Sequence, residues 1–583
     1  MARSQLQKLA NYLRPHWPTV ALGVGSLLVV NLVGVGIPLL IRDGIDELQV
    51  TFSYHRVIYY AALVLLLASV MWVIRMVSRI SLFGVGRQVE FDLKQRIFDH
   101  LLQMEPAYFS RNTPGELISR ATSDVDNIRR LVGFAILSLA NTLFAYSLTV
   151  PVMISINLRL TFIALIVYPL MLVLVQMFSD RLRREQLKVQ ERLADLSDLI
   201  QEDMSGIALI KIYGQEANET RAFEDLNQDL LKANLALART RSTLFPLLGG
   251  LASISLLVVL ATGAGAIADG HLTVGDFVAL LIYVERLVFP TALLGFTITA
   301  YQRGEVSIDR VQTILEADPK IKDDLTALAL PLERVRGKIE ARHLTYTYPG
   351  NPVPALDGVS FTINPGERVA IVGPIGSGKS TLANALPRLL EVDRGQLWLD
   401  GTDVTQIRLH DLRQAIAYVP QDSFLFSTTI NNNIRYGLPL LETADVHYAA
   451  KQAQIDGEIE NFPQRYETLV GERGITLSGG QRQRAALARA LVIDAPILVL
   501  DDALSSVDNR TATAILDALS TGTRQKTVVF ISHQMSAAAT ADRILVMDRG
   551  QIVQMGTHAE LLATAGLYRQ LWDQHHLEAV LAS

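Results

Sequence analysis

The chain has 583 residues, 50% of them hydrophobic and only 19% charged, with a mean hydropathy of +0.26, too apolar for an ordinary soluble protein of this size. Disorder, a collagen-like fibre and a single small domain are excluded, and the net charge of -5 gives no basic excess to hold a run of phosphates, so no nucleic acid is expected as a partner. With no cysteine, disulfides, thiol catalysis and thiolate zinc sites are ruled out and the redox compartment is left open.

The opening residues MARSQLQKLANYLRPHW are polar and run into an apolar stretch without a small-residue cleavage site, so the first hydrophobic segment is expected to stay in a membrane. Six apolar runs approach the length of about 20 residues that a helix needs to cross the hydrocarbon, at 18–40, 59–83, 131–156, 160–177, 245–268 and 277–300. Short connections follow the first, third and fifth, whereas 84–130 and 179–241 are long, charged and helical in pattern. Their many arginines and lysines put them in the cytoplasm by the positive-inside rule, and an even number of spans places both termini there.

Within the last span, Glu285 and Arg286 are adjacent opposite charges amid apolar residues. At that depth each is expected to face a cavity or a partner, as a contact for cargo or a salt bridge to another span. Asn31 and Asn141 read as helix–helix hydrogen bonds, and Arg75 and Arg79 as side chains snorkelling to the membrane surface. The cavity between the spans is expected to be mostly apolar.

From about residue 336, short apolar strands alternate with Gly, Pro and Asp turns and helical stretches, the pattern of an α/β domain. The expected organisation is a membrane α-helical domain of six helices over 1–305, a linker over 306–335, and an α/β P-loop domain over 336–583. In the last, the buried strand RVAIV leads into Gly373-Pro374-Ile375-Gly376-Ser377-Gly378-Lys379-Ser380-Thr381, which fits G-x-x-x-x-G-K-[ST] at every fixed position. Glycines let successive N–H groups turn toward phosphate oxygens, the following helix adds its dipole, and Lys379 reaches the β/γ-phosphates with Ser380 on magnesium. A second strand, PILVL, ends in Asp501-Asp502, and Asp501 reads as the carboxylate that holds magnesium.

With Leu477-Ser478-Gly479-Gly480-Gln481 the sequence resembles the ABC transporter family, whose signature this run matches. Tyr348 in TYTYPG resembles the family's adenine-stacking tyrosine, Gln421 in YVPQDSFLF its Q-loop glutamine, and His533 in FISHQMS its switch histidine. Gly471-Glu472-Arg473-Gly474 resembles the loop before the signature, and 505–508 the D-loop. Six spans ahead of one such domain resemble a bacterial exporter half-transporter of the multidrug and lipid-flippase type.

The resemblance implies ATP and Mg2+ as cofactors. Tyr348 and 373–381 would hold the nucleotide. Ser478, Gly479, Gly480 and Gln481 would close on it from a second half-transporter. Ser380, Gln421 and Asp501 would serve the metal, and Asp502, His533 and Gln421 the chemistry. Helical pieces near 110–117 and 206–214 resemble coupling helices. Cargo is expected to be a hydrophobic or amphipathic small molecule or lipid, moved by alternating access across the bilayer of a bacterial inner membrane.

One residue departs from the family. Where it usually has a glutamate to orient or deprotonate water, this chain has Asp502, one methylene shorter. A displacement of about 1 Å at a catalytic group costs on the order of 100-fold in rate. The preferred reading is a heterodimer in which this chain lends a sound signature to a partner with the complete site. A homodimer with slow sites, or a non-pumping ATP-gated regulator or channel, is the alternative.

Overall fold

The structure is a computed structural model that describes residues 5–50, 52–324, 326–471, 474–505, 507, 511, 512, 514, 515 and 526–582. It divides into two compact units, one of Met1–Leu102 with Thr113–Ala317, the other of Gln103–Asn112 with Asp318–Ser583.

In the first unit the six apolar runs lie in six helices long and apolar enough to cross a membrane: α1 (Gln7–Val50), α2 (Tyr54–Leu101), α3 (Pro114–Ile156), α4 (Leu158–Ser205), α5 (Glu216–Ala268) and α6 (Val274–Leu315). Each has 42 to 53 residues, roughly twice what the hydrocarbon requires. The charged stretches between spans are therefore continuations of the same helices. A short helix, Ile207–Tyr213, closes with Gly214 in the left-handed region. In α3 the backbone widens to π-turns at Arg120–Asp124 and Leu131–Ala135.

Apolar side chains outside the membrane unit's core gain nothing from each other in lipid, so polar contacts and close backbone approach carry much of the packing specificity. The Tyr283 hydroxyl donates to the Val35 carbonyl (2.6 Å), Ser78 to that of Gly23 (2.8 Å), and Thr297 to the Ser138 hydroxyl (2.7 Å). Asn31 donates to Asn141 across α1 and α3 at 3.2 Å, as its sequence context suggests. Arg286 makes no salt bridge among the described residues. Its guanidinium donates to the Asn31 carbonyl (3.3 Å) and side chain (3.4 Å), over Gly34, where a Cβ would occupy the guanidinium's place. Glu285 is exposed.

The second unit has an antiparallel sheet, β2-β1-β4-β5, and a mainly parallel one, β10-β9-β3-β8-β7-β6. These strands are β1 (Ile339–Tyr346), β2 (Leu356–Ile363), β3 (Arg368–Val372), β4 (Leu397–Leu399), β5 (Thr402–Asp403), β6 (Ile416–Val419), β7 (Ile497–Asp501), β8 (Thr527–Ile531), β9 (Arg543–Asp548) and β10 (Gln551–Gly556). Central strands covered on both faces are apolar throughout. In β3, Val369 and Ile371 enter one core cluster while Ala370 and Val372 enter the other. Asp501 and the phosphate-loop start thereby lie at the carboxyl ends of adjacent parts of one sheet, where α/β folds place their ligands. The short helix Pro106–Arg111 belongs to this unit, and the Glu105 carboxylate accepts from the Lys320 N–H at 3.3 Å.

Within the first unit the start of α6 is tied to the end of α1. Asp46 accepts from Thr273 (2.7 Å) and from the Gly275 N–H (2.8 Å), and a Cβ on Gly275 would collide with the Arg42 carbonyl. Gly275→Ala is therefore expected to destabilise the protein by about 1–3 kcal/mol. Gly36→Ala, with open space beside it, should stay within about 0.5 kcal/mol. Thermal unfolding of both variants in lipid checks this.

Candidate phosphate-binding site

The loop after β3 turns through Gly373 (φ 154°) and Gly378 (φ 98°), backbone conformations that only glycine adopts without strain. Side chains there would also strike the carbonyls of Met547 and Ala355. The loop feeds α7 (Lys379–Ala385), so its N–H groups and the helix dipole converge on one spot.

Lys379 is only 6% exposed, and its ammonium donates to the carbonyls of Gly373 and Pro374, both at 2.8 Å. Burial pulls its pKa down, while Asp502 and Asp501 act to keep it charged. The Ser380 hydroxyl donates to Asp501 at 2.9 Å, and the Tyr418 hydroxyl does so at 3.3 Å. Asp501 is 3% exposed. Burial raises its pKa, opposed by those two hydrogen bonds. The Ser377 hydroxyl is buried without a hydrogen-bond partner among the described residues.

A cradle that excludes Cβ atoms, an orphaned hydroxyl, a buried ammonium and a hydroxyl–carboxylate pair form a donor set that fits a polyphosphate and a hard divalent cation. Tyr348 stands just beyond the end of β1, half-buried, its hydroxyl 3.3 Å from that of Thr381. That position leaves it beside the loop and out of the strand's packed face.

Asp502 follows with φ 51°, a left-handed conformation that aspartate tolerates better than most side chains. Its N–H donates to the Ile531 carbonyl at 3.2 Å. Burial raises its carboxyl pKa, and the neighbouring His533 opposes the rise. Asp502 and His533 are thus brought together beside the Lys379 and Asp501 pair. Gln421 is exposed, on the loop after β6.

The signature stands apart in its bonding. Ser478 caps α8 (Gly479–Leu491) by a reciprocal capping box with Gln481, and Gln481 also donates to Glu458 at 2.9 Å. Among the described residues, no hydrogen bond or ion pair joins Ser478, Gly479, Gly480 or Gln481 to the phosphate loop. Glu472 and Arg473 of the preceding loop, and Ser506 and Asp508 of the D-loop, lie outside the described residues.

Two residues of the site escape sequence reasoning. Tyr418 bridges Asp501 and Asn384 (2.8 Å), signalled only by a polar tip on the apolar strand β6. Gln483 donates to Ser505 (3.0 Å), and Ser505 to the Asp502 carbonyl (3.0 Å). This chain fixes the backbone that carries Asp502.

Comparison with known proteins places both units. The family model described as the ABC transporter transmembrane region matches residues 20–291, and the one described as ABC transporter matches 356–505. The chain is 33% identical to the "Probable multidrug resistance ABC transporter ATP-binding/permease protein YheI" of Bacillus subtilis, over 98% of each protein. This chain belongs to the ABC transporter family. It is also 33% identical to an ATP-dependent lipid A-core flippase of Thiobacillus denitrificans, over 97% of each. Its fold resembles that of a bacterial Atm1-family ABC exporter solved with ATP bound, with a TM-score of 0.78 and 26% identity, covering 96% of this chain and 99% of that one. It is accordingly a multi-pass membrane protein with the family's ATP-binding domain.

Lys379→Ala should weaken ATP binding by about 10- to 100-fold, the loss of charge-assisted hydrogen bonds. Tyr348→Ala should weaken it several-fold, about 0.5–1.5 kcal/mol for a lost aromatic stack. Titration of the purified protein with a fluorescent ATP analogue reads both, and unaltered affinity would remove either residue from the site.

Proposed function

We propose that this chain is a half-transporter that pairs with a second one and uses ATP to export or flip a hydrophobic or amphipathic substrate by alternating access. The observation that carries the reading is a phosphate loop, with Ser380 on Asp501 at 2.9 Å, joined in one chain to six helices of membrane-spanning length. The chain's relatives, named for multidrug resistance and lipid A-core flipping, support it.

Mg2+, when bound with ATP, supplies positive charge to the phosphoryl oxygens. Ser380 and Asp501 are positioned to hold it, joined by Gln421 once that side chain turns inward. Lys379 exchanges its bonds to the Gly373 and Pro374 carbonyls for phosphate oxygens, and the loop N–H groups orient them. Tyr348 offers its ring to the adenine. Ser478, Gly479, Gly480 and Gln481 present the α8 N-terminus to the nucleotide on the partner, where its dipole favours negative charge. Asp502 accepts the proton of an attacking water, or orients it, with His533 beside it. Both termini and the nucleotide domain lie in the cytoplasm of a bacterial cell in this reading.

The partner is a different chain. Asp502 sits one methylene short of the usual glutamate, on a left-handed backbone (φ 51°) that aspartate tolerates, and the shorter side chain holds its carboxylate back from an attacking water. A partner with the complete site would hydrolyse ATP against this chain's intact signature.

Purified alone in lipid, the chain should show near-silent Mg2+-dependent ATPase, and Asp502→Glu should raise it by about 10- to 100-fold, the scale of a 1 Å misplacement. Substantial activity in the unmodified chain would favour a working homodimer and end the heterodimer reading.

A further inference from the structure

Away from the phosphate loop, one group of three histidine and carboxylate side chains among the described residues brings its ligand atoms within 4.8 Å of one another: His447, Asp456 and Glu460. His447 stands on the helix Thr443–Gln452, Asp456 opens the short helix Asp456–Ile459, and Glu460 follows it. Val446 and Ala450 on the first helix, with Ile455 and Ile459 on the second segment, are buried in one core cluster. That shared core fixes the two backbones to each other. The three polar side chains meet at its edge, His447 and Asp456 half-buried and Glu460 exposed.

The spacing is that of ligands around a shared ion. His447 Nδ1 lies 3.5 Å from Asp456 Oδ1 and 4.0 Å from Glu460 Oε1, longer than the roughly 2.7–3.2 Å of a hydrogen bond. Two donors each about 2.0–2.1 Å from a tetrahedral ion stand about 3.3 Å apart. Neighbouring groups aim the three. The hydroxyl of buried Tyr466 donates to Asp456 Oδ1 at 2.7 Å, and its ring lies against the His447 imidazole with centroids 3.9 Å apart. Arg465 approaches Glu460 at Oε2, 3.3 Å away, so that Oε1 is the oxygen left toward His447. A carboxylate oxygen has two lone pairs, and Asp456 Oδ1 can keep the Tyr466 bond while it ligates. Outer partners of this kind orient metal ligands and tune their basicity.

Imidazole and carboxylate together suit a first-row divalent ion, and they favour Zn2+ over Mg2+, which is served by oxygen ligands and water. The segment that carries two of the ligands also reaches α8. Glu458 accepts from Gln481 at 2.9 Å and pairs with Arg484 at 2.6 Å, and Gln481 belongs to the capping box at the α8 N-terminus.

We propose that His447, Asp456 and Glu460 bind Zn2+, and that the bound ion fixes 456–460 and, through Glu458, the capped start of α8. Water completes the coordination, since the chain offers three ligands. Such a site acts on the nucleotide domain whatever cargo the chain moves.

The test uses the full chain in lipid nanodiscs, stripped of metal and free of nucleotide, with Zn2+ titrated against a fluorescent zinc chelator. One Zn2+ per chain should bind, and Mg2+ in about 100-fold excess should not displace it. Tyr466→Phe should lower the affinity about tenfold, the scale of losing a group that supports a ligand, and His447→Ala and Glu460→Gln should each lower it by at least that much. The double variant H575A/H576A should bind as the unmodified chain does. Binding of a fluorescent ATP analogue reports that each variant is folded. Affinity unchanged in H447A, displacement by Mg2+, or loss of the ion in H575A/H576A would overturn the site. Hydrogen exchange checks the link to α8: Zn2+ should slow amide exchange at 456–460 and in the first turn of α8, and should not do so in H447A. Bound Zn2+ with exchange in α8 unaltered would overturn that link.

Discussion

A buried ammonium and a buried carboxylate at the ends of β3 and β7 set the terms for everything around them. Removing Lys379 and Asp501 from water costs several kcal/mol each unless polar partners replace the hydration. The chain supplies those partners from its own backbone and from Ser380 and Tyr418. The tight glycine turns follow from this need, since only a loop that doubles back can offer two carbonyls to its own lysine. The sheet order follows too. β3 and β7 lie on either side of β8, so both charges and the Asp502–His533 pair, carried by the segments after β7 and β8, open on the same edge.

The membrane unit answers a different constraint. In lipid, sequence-wide hydrophobicity does not distinguish one helix face from another. The specificity comes from a few hydroxyls, amides and glycines at crossings. Arg286 is an instance: the α1 glycine beneath it and Asn31 beside it accept a charge that would otherwise be expensive at that depth, and no carboxylate is involved among the described residues.

How much of this was legible in advance varies with the kind of signal. The strand over 368–372 coincides with β3, because a run of five residues covered on both faces leaves little choice of pattern. The start of α8 is equally plain, since Ser478 and Gln481 spell out a capping box. The conformation of Asp502 was not legible. Its residue type announces a shorter carboxylate, while the left-handed backbone that suits it depends on Gln483 and Ser505, residues brought in by the fold. The cluster of arginines in the membrane unit was hidden for a related reason: Arg183 and Arg241 stand at opposite ends of one charged stretch, 179–241, and Arg303 just past the last apolar run, and they line one cavity because α4, α5 and α6 continue past those runs. Likewise, 103–112 reads in sequence as part of the long charged stretch 84–130, and its membership of the second unit is a fact of contact, not of composition.

The length of these helices has a mechanical consequence. At 48 residues, α2 is roughly 72 Å long, of which the hydrocarbon accounts for about 30 Å and leaves some 40 Å as an arm beyond it. A tilt of about 10° at the bilayer edge sweeps the far end of such an arm through about 7 Å, given the helix rise of 1.5 Å per residue. The leverage also runs in reverse: a long, weak stroke applied far from the bilayer arrives within it as a short, forceful one. Proteins of this build trade distance for force, and the trade is set by helix length alone, before any cargo is chosen.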